Sequence, residues 1–257
     1  MTDALRAEWT KLRTLPGTGW LLTAAIVSTV AVSAATAAAV RCPSGTCAED
    51  PAKISLTGVY LGQAVIAIVA VLAISGEYGT GMIRVTFAAV PRRTAVLAAK
   101  GAVLASLSGL AGVVAVGVSL LTGRLILPGH GISPAHGYPA LALTDGAVLR
   151  AAFGSVLYLM LIALLSLGVA TCVRDAAAGI GIVLALLYLF PILGPLLGAD
   201  LGRHVQQIGP MTAGLAIQAT VNLRTLPIAP WAGLGVLAAW SAAALLAAAL
   251  LLRLRDA

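Results

Sequence analysis

Between Gly76 and Lys100 the sequence reads GEYGTGMIRVTFAAVPRRTAVLAAK, which gathers a carboxylate (Glu77), three arginines (Arg84, Arg92, Arg93) and a lysine into one interruption between two apolar runs. In a chain of 257 residues that is 60% hydrophobic and 10% charged, binding chemistry is concentrated there. Bond-making chemistry finds less support. Ser75 has no histidine partner within the neighbouring apolar runs, and neither HExxH nor a paired-carboxylate arrangement occurs. No GxxxxGK[ST] loop is present to cradle nucleotide phosphates. The expectation is a chain with no catalytic, cofactor-binding or metal-binding residue of its own. His130 and His136 lie in a stretch rich in proline and glycine and read as surface loop residues. Cys42 and Cys47, in RCPSGTC, are spaced for a small disulfide, two free thiols being the alternative, while a zinc site lacks two ligands. Cys172 stands alone and reads as a small buried hydrophobe.

These residues must be positioned by elements suited to a bilayer, because a mean hydropathy of +1.02 does not describe a soluble globule. Six stretches are free of charged side chains and long enough to cross roughly 30 Å of hydrocarbon: 18–40, 56–75, 101–123, 151–173, 176–197 and 231–252. Each must be helical, since lipid offers no partner to backbone N–H and C=O groups. The expected fold is an all-α membrane protein, a single transmembrane domain over 1–257. No cleavable signal is expected, because a mixed-charge segment precedes the first apolar run. With the N-terminus inside, ten basic residues fall on the cytoplasmic side and six outside. That asymmetry points to a multi-pass plasma-membrane protein with both termini cytoplasmic. The net charge of +7 is then explained by topology and anionic lipid headgroups, without a nucleic-acid partner. Arginine in excess over lysine, with abundant alanine, suggests a GC-rich bacterial genome.

Around the spans, residues 1–17 read as an amphipathic interfacial helix, with Leu5, Trp9 and Leu12 on one face, broken by Pro16 and Gly17. A frayed basic tail is the alternative. The segment 124–150 reads as an irregular external loop, and 198–230, too polar to cross yet apolar in MTAGLAIQATV, as an external re-entrant or interfacial helical segment. Small residues in SGLAGVVAVG and AAGIGIVLA predict close helix packing, within one chain or between two. No carboxylate, lysine, arginine or histidine lies in the middle third of any span, which disfavours an ion-coupled carrier.

Within the opening stretch, Gly76, Gly79 and Gly81 permit a sharp exit from the second span. MIRVTFAAV then forms a short helix that Pro91 stops at the preceding residue. Ile83 and Phe87 fall four apart on one face of it, an apolar knob beside basic residues. An ordinary loop whose arginines only enforce topology is the bland alternative, but such a loop needs no helical knob.

An acidic residue past the second span, a Gly-Thr turn, a short helix, then Pro-basic-basic and a lysine before the third span resembles the membrane subunit of type-2 ATP-binding-cassette (ABC) transporters. Here these are Glu77, GTGMIRVTFAAV, PRR at 91–93 and Lys100. The likeness extends to AEWTKLRT before the first span, to the six spans, and to IGPMTAG between the fifth and sixth; the extended 124–150 loop departs from it. The resemblance implies an exporter permease that pairs with a second copy or a relative and docks cytoplasmic ATPase subunits, which would carry the ATP and Mg. The helix at about 80–90 would be the coupling helix within a cytoplasmic coupling loop, 76–100. Glu77, Arg84, Pro91, Arg92 and Arg93 match its motif, with Ile83 and Phe87 as the docking knob. The expected cargo is hydrophobic or amphipathic, such as a drug, antibiotic, peptide or lipid, since the spans offer an apolar pathway with few polar groups such as Tyr60 and Gln63. Resistance to drugs or antibiotics is one role consistent with this. An ion-coupled secondary carrier and a non-transporting membrane scaffold remain the alternatives.

Overall fold

The structure, a computed structural model, describes residues 9–10, 16–42, 50–89, 92–134, 137–138, 141–142 and 144–254, less the side chains of Pro16, Arg84, Phe87, Ala88, Ala89 and Ala199. Among the described residues the regular elements are helices. In chain order these are α1 (Pro16–Ala39), α2 (Pro51–Ser55), α3 (Val59–Gly79), α4 (Met82–Ala89), α5 (Arg93–Ile126), α6 (Gly146–Val173), α7 (Ala176–Leu193), α8 (Ala199–Ile208), α9 (Pro210–Gly214) and α10 (Pro230–Leu254). Six of them, α1, α3, α5, α6, α7 and α10, are long and apolar enough to cross a membrane. They run alternately up and down between an end marked by Glu77 and an end marked by Asp50.

Two boundaries differ from the sequence expectation. Helix α3 continues through Gly76 to Gly79, so Glu77 belongs to a helix and not to an exit turn. The chain leaves the helix only at Gly81, whose φ of +72° suits glycine. Helix α5 begins at Arg93, eight residues before the expected span, and carries Lys100 within it. Packing against α3 and α6 completes turns that hydropathy alone ends early.

Helices α3, α5 and α6 form the inner layer, with 56% of each apolar window buried, against 22%, 17% and 22% for α1, α7 and α10. Helix α6 packs on α10, α5, α3 and α7, while α1 lies between α3 and α5. Close approach depends on small residues. A Cβ on Gly58 would lie 1.8 Å from the Thr29 carbonyl oxygen of α1. Gly58→Ala is therefore expected to lower stability by about 2–3 kcal/mol, measured as the midpoint of SDS-induced unfolding. Gly17→Ala, with nothing within 4 Å of the added carbon, should leave that midpoint unchanged or slightly raised.

Helix ends are capped by the residues that terminate the loops. Asp145 accepts from Ala147 N at the start of α6, and Asp175 from Ala178 N at the start of α7. Between them Arg174, at φ 63°, closes α6 and places its guanidinium over the Tyr78 ring, 5.3 Å from the centroid.

After α7, bent by Pro191, the chain turns back into the bundle. Helix α8 leads to a turn at Gly209–Pro210, and α9 with a following 3-10 turn returns toward the Asp50 end. Ala213 and Ile217 are fully buried, and Trp240 Nε1 donates to the Ile208 carbonyl at 2.9 Å. Gly214 lies against the Tyr158 ring. The polar groups along this contact are paired: Tyr158 Oη donates to Gln63 Oε1, Gln63 Nε2 contacts Met211 Sδ at 3.1 Å, and Tyr188 Oη donates to the Tyr60 carbonyl. Gln63, expected beside an apolar pathway, is thus enclosed in the chain's own core. Of the expected 124–150 loop, 124–126 and 146–150 belong to α5 and α6, and 127–130 form a 3-10 turn. Leu127, Ile132 and Tyr138 close a second small core with Ala37, Cys42 and Ile54.

Candidate functional site: the helix between the second and third long helices

The eight residues of α4 form a short helix between two long ones. On one side, α3 ends at Gly79; on the other, Arg92 precedes the start of α5. Lys100 Nζ lies 3.0 Å from Glu77 Oε1 and donates to the Ala73 carbonyl at 3.4 Å, with the lysine only 1% exposed. This buried ion pair joins α3 to α5 across the α4 excursion, where the two helices otherwise meet only briefly. Next to it Arg93 Nη1 donates to the Leu252 carbonyl at 3.0 Å, placing a cation on the C-terminal turn of α10.

The residues singled out in the sequence fall into different settings. Glu77 is buried and pairs with Lys100 of α5. Ile83, expected on an open knob, is 4% exposed and belongs to the main core, flanking a small recess with Ile74, Tyr78, Val96 and Leu97. The reason is the hydrophobic pull of that recess, which only the tertiary arrangement creates. Among the described side chains of α4, the open apolar ones are Met82 and Val85, 45% and 69% exposed. Arg92 is exposed and Arg93 half-buried. The side chains of Arg84 and Phe87, and Pro91 altogether, lie outside the described residues. So do Leu5 and Leu12; Trp9 and Thr10 are helical, and Trp9 is exposed. Cys42 is disulfide-bonded and Cys172 is in no disulfide, while Cys47 lies outside the described residues.

Sequence reasoning missed a second polar centre, at the opposite end. Asp50 caps α2, accepting from Ala52 N and Lys53 N at 3.1 and 3.3 Å. It also accepts from Thr220 Oγ1 at 2.7 Å and from the backbone N–H groups of Thr220 and Val221. Nearby, Arg150 donates to the Ala219 carbonyl at 2.6 Å, and Gln218 Nε2 to Ser155 Oγ at 3.2 Å. Asp50 before Pro51 is a legible helix-start signal; its remote partners are not.

Six long apolar helices in one bundle define the class as a multi-pass helical membrane protein. Compared with known proteins, the chain matches no protein-family model and no curated protein.

Proposed function

We propose that this chain is the membrane-spanning subunit of an ATP-driven exporter of the type-2 ATP-binding-cassette kind, and that α4 is the helix on which a separate ATPase subunit docks. The observation that carries this reading is a short helix, apolar at Met82 and Val85 with exposed Arg92 following it, set between two long helices that a buried ion pair joins. A connection placed for topology alone has no need of an ion pair joining its flanking helices.

The Glu77 end is cytoplasmic in this reading. Arg92, Arg93, Lys100, Arg174 and Arg253 cluster there, as loops and span ends on the inner side do. The disulfide at Cys42 lies at the other end, where an oxidising compartment preserves it. The amphipathic N-terminal helix would lie on the inner surface beside α4, and α8–α9 would dip into the outer half of the membrane. ATP and Mg bind the partner subunits, whose closure shifts α4. The Glu77–Lys100 pair delivers that shift to α3 and α5, biasing a two-state bundle pair. The cargo is hydrophobic or amphipathic and passes between two such subunits, which makes drug, antibiotic, peptide or lipid export the range of activities.

The test is purification of the full chain from its native membrane in mild detergent, with ATP hydrolysis assayed in the eluate. Val85→Asp is expected to reduce the co-purifying ATPase by about tenfold or more, as loss of a central apolar contact does, while the chain still inserts. Wild-type chain without any ATPase would remove the reading. Uptake driven by an ion gradient in vesicles containing this chain alone would replace it with the carrier, and bound partners without substrate-dependent hydrolysis with the scaffold.

A further inference from the structure

At the Asp50 end, the last turn of α5, the start of α2 and described residues of the connection that follows α5 line an open cleft of about 260 Å³. Its walls are apolar, formed by Pro51, Leu127, Pro128, Ile132 and Leu141, and its cation is Arg124. Arg124 is exposed and has neither a hydrogen-bond nor an ion-pair partner among the described residues. Lys53 is exposed on the same short helix as Pro51. Among the described residues, the carboxylates on the flanking elements, Asp50 and Asp145, are engaged as N-caps of α2 and α6.

The cleft continues into a surface of defined chemistry. Leu110, Val114, Val118, Leu121 and Leu125 recur every three or four residues along α5 and are 38–80% exposed, so they form one outward apolar stripe ending at Arg124. From Lys100 to Arg124 the helix rises about 36 Å at 1.5 Å per residue, close to the thickness of the hydrocarbon core. The stripe thus lies at acyl-chain depth when Arg124 lies at headgroup depth.

We propose that the cleft is a binding site for one anionic phospholipid, its phosphate on the Arg124 guanidinium, its glycerol region in the cleft and its chains along the α5 stripe. Charge complementarity and continuity with the stripe select this occupant: a zwitterionic lipid brings no net charge to an unpaired cation, and a soluble anion has no use for the apolar walls. The inference rests on the chain's lying in a bilayer and is independent of whether the protein exports anything.

The experiment is titration of the full chain in detergent with phosphatidylglycerol, with phosphatidylcholine of the same acyl chains, and with glycerol 3-phosphate, read as thermal unfolding midpoint and as apparent Kd. Phosphatidylglycerol is expected to raise the midpoint more than phosphatidylcholine, and Arg124→Gln to weaken its binding about tenfold, as loss of a charge-assisted hydrogen bond does. Ala142→Trp, which fills the cleft, should do the same. Should that variant fail to fold, Arg124→Gln with an unchanged baseline midpoint carries the test. Equal shifts from both lipids, or from glycerol 3-phosphate alone, overturn the proposal, as does unchanged binding in Arg124→Gln. A midpoint that rises with protein concentration and ignores lipid assigns the cleft to a second copy of the chain and overturns it as well.

Discussion

Glu77→Leu alone is expected to lower the stability of this protein by about 3–5 kcal/mol, and Lys100→Met made with it to recover most of that loss. Lys100 is 1% exposed and its nearest compensating charge is 3.0 Å away on a different helix. With the carboxylate gone, the ammonium is left in an apolar interior or must lose its proton, and either state is costly. The double variant buries two apolar side chains in place of two charges, which in buried sites is commonly neutral or better. Unfolding midpoints of the four chains in one detergent complete a double-mutant cycle. A single variant within about 1 kcal/mol of wild type would mean that the pair is water-exposed in practice and cannot hold α4. The cycle also separates anchoring from stability. If the double variant is as stable as wild type yet amide exchange across 82–89 quickens, the charges serve to position α4. Equal exchange in all four chains would leave the pair as packing alone.

Asp50→Ala is expected to be the second most damaging change, costing on the order of 3 kcal/mol. One carboxylate accepts five hydrogen bonds, two from α2 and three from Thr220 and Val221, which lie about 170 residues further along the chain. Removing it leaves backbone donors at 220–221 without their partner in a partly buried setting, and the full desolvation of those groups is then felt. Asp50→Asn retains an acceptor and the cap, so it should recover part of the loss. Amide exchange at Thr220 and Val221 is the local readout, expected to rise in Asp50→Ala while amides of α3 hold. If the exchange at those two positions is unchanged, the carboxylate acts only as the cap of α2.

Much of the architecture was legible because it depends on local, summed properties. An apolar run of about 20 residues declares a span by length alone. Pro16 marks a break before the first span, and a short helix between the second and third spans follows from the residues around Gly81 and Pro91. The segment at 198–230 was readable as neither span nor loop because its polarity and apolar pattern conflict. Less of the candidate site was legible. Periodicity put Ile83 and Phe87 on one face but does not say toward what that face points. The recess beside Tyr78 and Leu97 turns Ile83 inward and leaves Val85 open.

By itself, then, the sequence determined that this is a chain of six long apolar helices, with basic residues gathered around one connecting helix and cysteines confined largely to one loop. Hydropathy and helical period are carried within each segment and need no knowledge of neighbours. Only the tertiary structure decided that Glu77 pairs with Lys100, that Asp50 holds Thr220, that Gln63 is enclosed with Tyr158, and that Arg124, without a partner among the described residues, lies beside an apolar cleft. Each of those depends on which helices lie side by side and at what depth, a choice made by packing over the whole bundle.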